Sequence, residues 1–462
     1  MKKPLAIILA AGQGTRMKSD LPKVLHPVCG ISLVGWVLRS LGEAGIDDIC
    51  VVVGHRADLV QEALGDDVSF AVQSEQLGTA HAVMCAGDAL AGASGSVLIL
   101  AGDVPMLSSA TMRSLVELRE RESADLAMAT FRLENPTGYG RIVRNDSGAV
   151  VEIVEQKDAS DEQKLITEVN PAVYCFDAAK LRELLPRVGK ENAQGEYYLP
   201  DLVKLIVAEG GSILAVESRD ADEFLGINDR WQLAEANDIM RRKILRKHGE
   251  AGVSLLDINS ITIGPDVEIG RDAVIHPNTV IDGVTQIGSG CAIGPNSWIK
   301  DSMIGERCRV FMSHLDGAMM EDGSRCGPFS NLRPDAVLRQ EVKIGNFVEI
   351  KNSEIGSGTS ISHLTYIGDA KVGERSNIGA GVITCNYDGF NKFCTEIGDE
   401  CFVGSNSTLV APVKMEDGSF VAAGSVITRD VPSGAMAVGR GRQENKEQWY
   451  TAWRERKISE KK

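Results

Sequence analysis

One rhythm leaves few folds open to the second half of this chain. Aliphatic residues recur every six positions at Ile263, Ile269, Ile275, Ile281, Ile287, Ile293 and Ile299. Ile304, Val310, Leu315, Met320, Cys326, Leu332, Leu338, Ile344 and Ile350 continue at steps of five or six, then Ile355, Ile361, Ile367, Val372 and Ile378. Val403, Leu409, Met415, Val421 and Ile427 resume the step of six. A helix has a period of about 3.6 residues and a two-sided strand one of about 2, so neither produces this pattern. A solenoid does. Each face of a triangular coil takes a short strand whose aliphatic points inward. A turn follows, which glycines such as Gly270, Gly294 and Gly368 are expected to ease. The span predicts a left-handed parallel β-helix of roughly nine coils at about 18 residues each.

The rhythm fails once, between Ile378 and Ile397. There Thr384 and Glu396 stand where aliphatics are expected, which predicts a loop leaving the coil. Loops interrupting a rigid scaffold are frequent sites of function.

The first ~227 residues have a different pattern, the alternation of an α/β fold. Pro4–Ala10, Ile49–Gly54 and Val97–Leu100 read as buried parallel strands, with helices over Leu33–Ala44 and Thr111–Glu122. Asp229–Lys247 reads as a connector helix with Leu233, Ala236, Met240 and Ile244 on one face. Asp229 caps its start, basic residues suit its end, and Gly249 is expected to stop it. The expected domains are 1–228, a connector at 229–249, and 250–462 with a basic tail.

Composition limits the function classes. With 43% hydrophobic and 24% charged residues the chain is globular. A formal net charge of −15 argues against nucleic-acid or anionic-membrane binding, though a few local Lys and Arg can still hold a phosphate. The 48 glycines and 5% aromatics suit tight coils. Ten cysteines without metal-ligand spacing, among them Cys29, Cys175, Cys291 and Cys326, read as buried free thiols of a cytoplasmic protein. Met1–Gly12 has the charge and apolar run of a signal peptide, but the run is short and glycine and charge follow at once. No run reaches the ~18 apolar residues of a membrane span.

The first chemical constellation is LAAGQGTRMKSDLPK at residues 9–23. A glycine-containing loop after a strand, followed by Arg16, Lys18 and Lys23, forms a phosphate cradle. It is neither a Walker A loop nor a dinucleotide fingerprint. Further along stand Gln73 and Gly78-Thr79 in QSEQLGTAHA, Asp103 in VLILAGD, Gly140 in TGYGRI, Glu155 in IVEQKDA, Asn170 in VNPAVY and Asn228 in LGIND. Asp103 and Asn228 are apt hard-oxygen ligands for Mg²⁺.

This series closely resembles the signature of the sugar-phosphate nucleotidyltransferases, which implies a Rossmann-like domain and UTP as nucleotide. By that resemblance Leu9, Ala10, Ala11, Gly12, Ala101, Gly102 and Asp103 line the UTP and UDP-sugar site. Gln73 and Thr79 meet the base, Glu155 and Asn170 the sugar and Lys23 the sugar phosphate, with Gly78, Gly140 and Asn228 in the same site. Arg16 stabilises the charge on the α-phosphate as a sugar 1-phosphate attacks.

The second constellation sits on the coils. Arg333, Lys351, His363, Tyr366 and Asn377 lie near the rhythm about one coil or less apart, so they are expected to stack and converge. The Asn386-Tyr387 pair lies in the predicted loop. ISHLTYIGDAKVGERSNIGAGVITCNYDG resembles the acetyltransferase site of the bifunctional N-acetylglucosamine-1-phosphate uridylyltransferases / glucosamine-1-phosphate N-acetyltransferases, and both constellations match that family over essentially the whole chain. The resemblance implies phosphate binding by Arg333 and Lys351 and a base role for His363, whose imidazole class titrates near 6.5. Tyr366 and Asn377 hold the sugar, while Ala380, Asn386, Tyr387, Ser405, Ala423 and Arg440 contact acetyl-CoA. It also implies a cytoplasmic homotrimer supplying UDP-N-acetylglucosamine for peptidoglycan and lipopolysaccharide. Two alternatives compete: a single-activity nucleotidyltransferase whose β-helix only oligomerises, and a non-catalytic assembly subunit. His363 with the Asn386-Tyr387 loop opposes the first, and the intact Arg16, Lys23 and Asp103 set opposes the second.

Overall fold

A computed structural model describes residues 3–461. They fall into two compact units, and the chain passes from the first to the second between Arg241 and Arg242.

The first unit is built on a ten-stranded mixed sheet. Four parallel strands form its core: β1 (Leu5–Ala10), β2 (Asp48–Val53), β3 (Ser69–Val72) and β4 (Ser96–Ala101). Their order is β3-β2-β1-β4, so the chain reverses direction across the sheet at β1. Beyond β4 the strand Tyr174–Asp177 runs antiparallel, and Leu126–Arg132, Glu168–Asn170, Gly140–Arg144 and Val150–Val154 extend the sheet. Residues of β1 and β4 are buried on both faces, as continuous aliphatic strands under helices must be. One covering helix is α1 (Leu33–Ala44), capped by the Ser32 hydroxyl and ended by Gly45 at φ 76°. The apolar run of the considered signal peptide is thus β1; its Met1 and Lys2 lie outside the described residues.

The connector is α2 (Arg230–Glu250), and Asp229 caps it through the amides of Trp231 and Gln232 at 3.0 and 2.9 Å. It is not a separate body. Asn237 in its first half accepts the Cys29 amide at 2.9 Å, and Leu245 in its second half joins the core of the coils. Gly249 does not stop it. The helix runs to Glu250, and Gly252 at φ 95° turns the chain out, with the Val253 amide closing on the His248 carbonyl at 3.1 Å.

The second unit is the predicted left-handed parallel β-helix. Its three parallel sheets hold eleven, ten and nine strands, called here the first, second and third faces. It begins at Ser254–Leu255 and ends at Met436–Ala437, beyond both ends of the six-residue rhythm. The aliphatics of that rhythm form one continuous buried column.

Two expectations need correction. Thr384 does not leave the lattice: it is buried in register with Leu409, and its hydroxyl bonds the Gly368 amide and carbonyl at 2.8 and 3.1 Å. Glu396 points outward because Ile397 fills its column. The loop lies between them, at residues 386–394. The step from Asn377 to Phe402 takes 25 residues where the preceding coil, Ser360 to Asn377, takes 17.

The glycines after the aliphatics mostly serve clearance rather than turning. Many corners place a non-glycine residue at positive φ, such as Phe329 at 59° and Phe347 at 57°. A Cβ on Gly288 would lie 2.6 Å from the Gly305 carbonyl carbon in the next coil. Gly288→Ala is therefore expected to destabilise the β-helix by about 1–3 kcal/mol, read as a lower Tm. Gly249→Ala, with open space around its Cβ, should be neutral or stabilising. None of the ten cysteines forms a disulfide, but not all are buried: Cys29, Cys85 and Cys385 are half-buried and Cys394 is exposed.

Candidate active sites

The reversal of strand order at β1 opens a crevice at the C-terminal ends of β1 and β4, where open α/β sheets bind ligands. Leu9, Ala10, Ala11 and Gly12 leave β1 there, and Ala101, Gly102 and Asp103 leave β4, with the Gly102 amide on the Leu9 carbonyl at 2.9 Å. Four charged or amide side chains converge at this edge. Arg16 donates to Asn228 Oδ1 at 2.9 Å, Lys23 reaches the same atom at 3.3 Å, and Lys23 also pairs with the Asp103 carboxylate. The Ile227 amide on the Asp103 carbonyl at 3.0 Å fixes Asn228 beside Asp103.

Two further groups flank this centre. Gln73 is buried and donates to the Gly78 carbonyl at 3.1 Å. Gly78, at φ 114°, lets the chain pass against the Tyr197 backbone, and Thr79 accepts the Leu199 amide at 3.0 Å as the next helix, Thr79–Cys85, begins. On the other side Gly140, Glu155 and Asn170 meet: a Cβ on Gly140 would lie 3.2 Å from Glu155 Oε1 and 3.6 Å from the Asn170 Cβ. Burial, then the charges of Asp158 and Asp201, raise the Glu155 carboxyl above its ordinary value against the pull of Arg141. Tyr139 was not singled out from the sequence. Burial and the Asp103 charge raise its phenol.

On the β-helix the register aligns a row of predicted residues along one corner, where the first face turns into the second. His363 pairs with Asn346 on one side. The pairings Ile361–Ile378, Ile378–Val403 and Val403–Val421 then set His363, Ala380, Ser405 and Ala423 above one another, one per coil. Arg440 closes the row with its guanidinium on the Ala423 carbonyl at 2.7 Å. Arg333 and Lys351 also stack, on the second face, and the Tyr366 ring lies over Gly368 in the same stack.

Asn377 does not join them. It is exposed on the first face, between Ser360 and Phe402, so within one chain the polar set divides across the corner that carries His363. Asn386 and Tyr387 also stand apart from the corner row, in the loop beyond the second face. Tyr387 pairs with Lys392 across that loop, and the Asn386 amide grips the Asp369 carboxylate, which also accepts Asn352 at 2.6 Å. Burial alone would raise the Asp369 carboxyl, but these bonds and the charges of Lys392 and Lys351 hold it below the ordinary value.

On the β-helix, Lys392 is a residue that sequence reasoning missed. It, more than burial or Arg333, holds the Lys351 ammonium below the ordinary lysine value, so three cations gather where Arg333 and Lys351 stack. Its one legible signal was being the only basic residue between Asn386 and Cys394.

Comparison with known proteins agrees with both halves. Residues 6–195 match the MobA-like NTP transferase domain, 266–301 the bacterial transferase hexapeptide, and 395–429 the hexapeptide repeat of succinyl-transferase. "Bifunctional protein GlmU" of Caldanaerobacter subterraneus subsp. tengcongensis is 50% identical, covering 97% of this chain and 98% of its own. The protein of the same name from Halalkalibacterium halodurans is 48% identical, covering 98% and 99%. The chain belongs to the GlmU family. It is a bifunctional transferase, as others of that family are named, with a nucleotidyltransferase half and a hexapeptide-repeat half. No helix among the described residues is long and apolar enough to cross a membrane.

Proposed function

We propose that the two activities of this GlmU-type enzyme, acetyl transfer and uridylyl transfer, are run by the two constellations in turn on glucosamine 1-phosphate. The observation that carries this reading is their separation: Arg16, Lys23, Asp103 and Asn228 converge in the first compact unit, and the Arg333–Lys351 stack lies beside the His363 corner in the second.

In the first step Arg333, Lys351 and Lys392 hold the sugar phosphate, and Tyr366, with Asn377 from a neighbouring copy, orients the sugar. The sugar amine attacks the thioester carbonyl of acetyl-CoA. A C–N bond forms, the C–S bond breaks, the amine proton passes to His363 and on to the departing sulfur, and coenzyme A leaves as the thiol. Ala380, Ser405 and Ala423, small residues along one corner, leave room for the acetyl-CoA arm, and Arg440 meets its phosphates. Asn386 and Tyr387 bound the cofactor from the loop. The division of Asn377 from Arg333 supports a homotrimer in which neighbouring β-helices complete each site.

In the second step a phosphate oxygen of N-acetylglucosamine 1-phosphate attacks the α-phosphorus of UTP, and pyrophosphate leaves with the α–β bridging oxygen. Arg16 stabilises the charge on the α-phosphate and Lys23 the sugar-phosphate side. Asp103 and Asn228 fit Mg²⁺: their oxygens already point at one cation, the Lys23 ammonium, and Mg²⁺ takes one or two protein oxygens with phosphates and water. Among the described residues there is no cluster of three or more His, Cys, Asp or Glu that would form an all-protein cage. The ion would neutralise phosphate charge as pyrophosphate departs. Gln73, Gly78 and Thr79 border the base, and Gly140, Glu155 and Asn170 the sugar.

Thiol release with acetyl-CoA and glucosamine 1-phosphate, beside pyrophosphate release with UTP and N-acetylglucosamine 1-phosphate, tests this. Protein that releases pyrophosphate but no thiol would contradict it. Lys392→Ala is expected to raise the KM for glucosamine 1-phosphate about tenfold or more, with a smaller effect on kcat, in the same thiol assay.

A further inference from the structure

The loop that carries Arg16 and Lys23 is held from a direction outside both the cradle and the strands. Gly14 and Lys18 both stand at positive φ, 59° and 49°, around the short turn Thr15–Met17, and the bonds within that turn run only to its own carbonyls. The Met17 carbonyl instead accepts Arg230 Nε at 3.3 Å. The same guanidinium lies 3.3 Å from His26 Nδ1 through Nη1. Met17 and His26 bracket Lys23, so one side chain pins the loop on both flanks of the lysine.

His26 is buried, and its Nε2 has no partner among the described residues. Burial, then the Arg230 charge, lower its imidazole below the ordinary value against a hydrogen bond with the Leu21 backbone, and Nδ1, facing a guanidinium that can only donate, is the acceptor. His26 also passes the constraint on, because its carbonyl accepts the Leu33 amide at 3.0 Å where α1 begins.

Two residues further along the same helix turn, Gln232 acts on Asn228. Its Oε1 accepts the Asn228 amide at 2.8 Å, while its own amide is capped by Asp229. This is a reciprocal capping arrangement reaching one residue farther back than usual. The Asn228 Nδ2 bond to the Gly226 carbonyl at 3.2 Å then leaves Oδ1 facing Arg16 and Lys23.

We infer that Arg230 and Gln232, in the first turn of the connector helix, are positioning residues for uridylyl transfer: Arg230 fixes the loop around Lys23, and Gln232 fixes Asn228. Neither touches Asp103. The inference rests on the reading of Arg16, Lys23, Asp103 and Asn228 as the uridylyl-transfer site. Displacing reacting groups by about an ångström can cost about 10²-fold, so the loss falls on turnover.

The test uses the full chain with Arg230→Gln, Gln232→Leu, Gln232→Glu and Arg16→Ala. Pyrophosphate release is followed over UTP and N-acetylglucosamine 1-phosphate concentrations, with thiol release and Tm measured on the same samples. Arg230→Gln and Gln232→Leu should each lower uridylyl kcat about 10–100-fold, with smaller changes in KM, and leave acetyl transfer intact. Gln232→Glu keeps the acceptor oxygen and should retain most of the turnover that Gln232→Leu loses. If Arg230→Gln fails to fold, the Gln232 pair decides. Uridylyl kcat within twofold of the parent in Gln232→Leu, with Arg16→Ala inactive, overturns the inference alone. Full activity in Arg16→Ala overturns the reading of the site beneath it.

Discussion

Replacement of His363 by alanine is expected to lower acetyl transfer by about 10²–10⁴-fold while uridylyl transfer stays within twofold of the parent. The amine of glucosamine 1-phosphate must shed a proton as it attacks the thioester, and His363 is the imidazole at the head of the corner row that continues through Ala380, Ser405 and Ala423. Its side chain is exposed, so truncation leaves the aliphatic column intact. Thiol release measures the loss and pyrophosphate release the retained activity. An unchanged acetyl rate would remove His363 from the chemistry and return the β-helix to an assembly role.

Asp103→Ala is expected to do the reverse, with uridylyl transfer falling at least about 10²-fold. Two consequences add. The carboxylate that completes the oxygen pair with Asn228 is lost, and Lys23 loses its ion-pair partner and keeps only the bond to Asn228. The Ile227 bond is to the Asp103 backbone, so the loop that presents Asn228 should stay in place. Pyrophosphate release is the readout, with thiol release unchanged. Loss of both activities from folded protein would show that the two sites are not separate.

The scaffold was legible in the sequence because it repeats. A six-residue step summed over many coils is unmistakable, and it located all three faces although single strands are two to four residues long, missing only the two end strands and the one that carries Thr384. The parallel core of the first unit was legible for a related reason: strands buried on both faces must be continuously aliphatic. Side-chain convergence was less legible. The spacing of Arg333 and Lys351 predicts their stack, because both follow inward aliphatics one coil apart. The same spacing argument fails for Asn377, which precedes its aliphatic on another face.

Thr384 misled for a physical reason. A threonine can fill an inward position when its hydroxyl finds backbone partners, as it does on Gly368, so polarity alone does not mark the edge of a lattice. Lys392 and Arg230 were hidden because each acts across a distance the repeat does not encode: a loop folding back on its coil, and a helix turn reaching a loop about 200 residues earlier, from Arg230 to Met17 and His26. Gln232 reaches back only to Asn228, but to the residue before the cap rather than to the cap itself, which the usual capping spacing does not announce. The helix Trp449–Ser459 was also not read from the basic tail.

In the proposed scheme the two sites work independently and share only a diffusing intermediate, N-acetylglucosamine 1-phosphate. Mixing tests this most directly. His363→Ala and Asp103→Ala proteins are incubated separately and together with glucosamine 1-phosphate, acetyl-CoA, UTP and Mg²⁺, and UDP-N-acetylglucosamine is measured. Almost no product is expected from either variant alone, with product restored in the mixture. No product from the mixture, with each variant still performing its remaining half-reaction, would contradict the scheme.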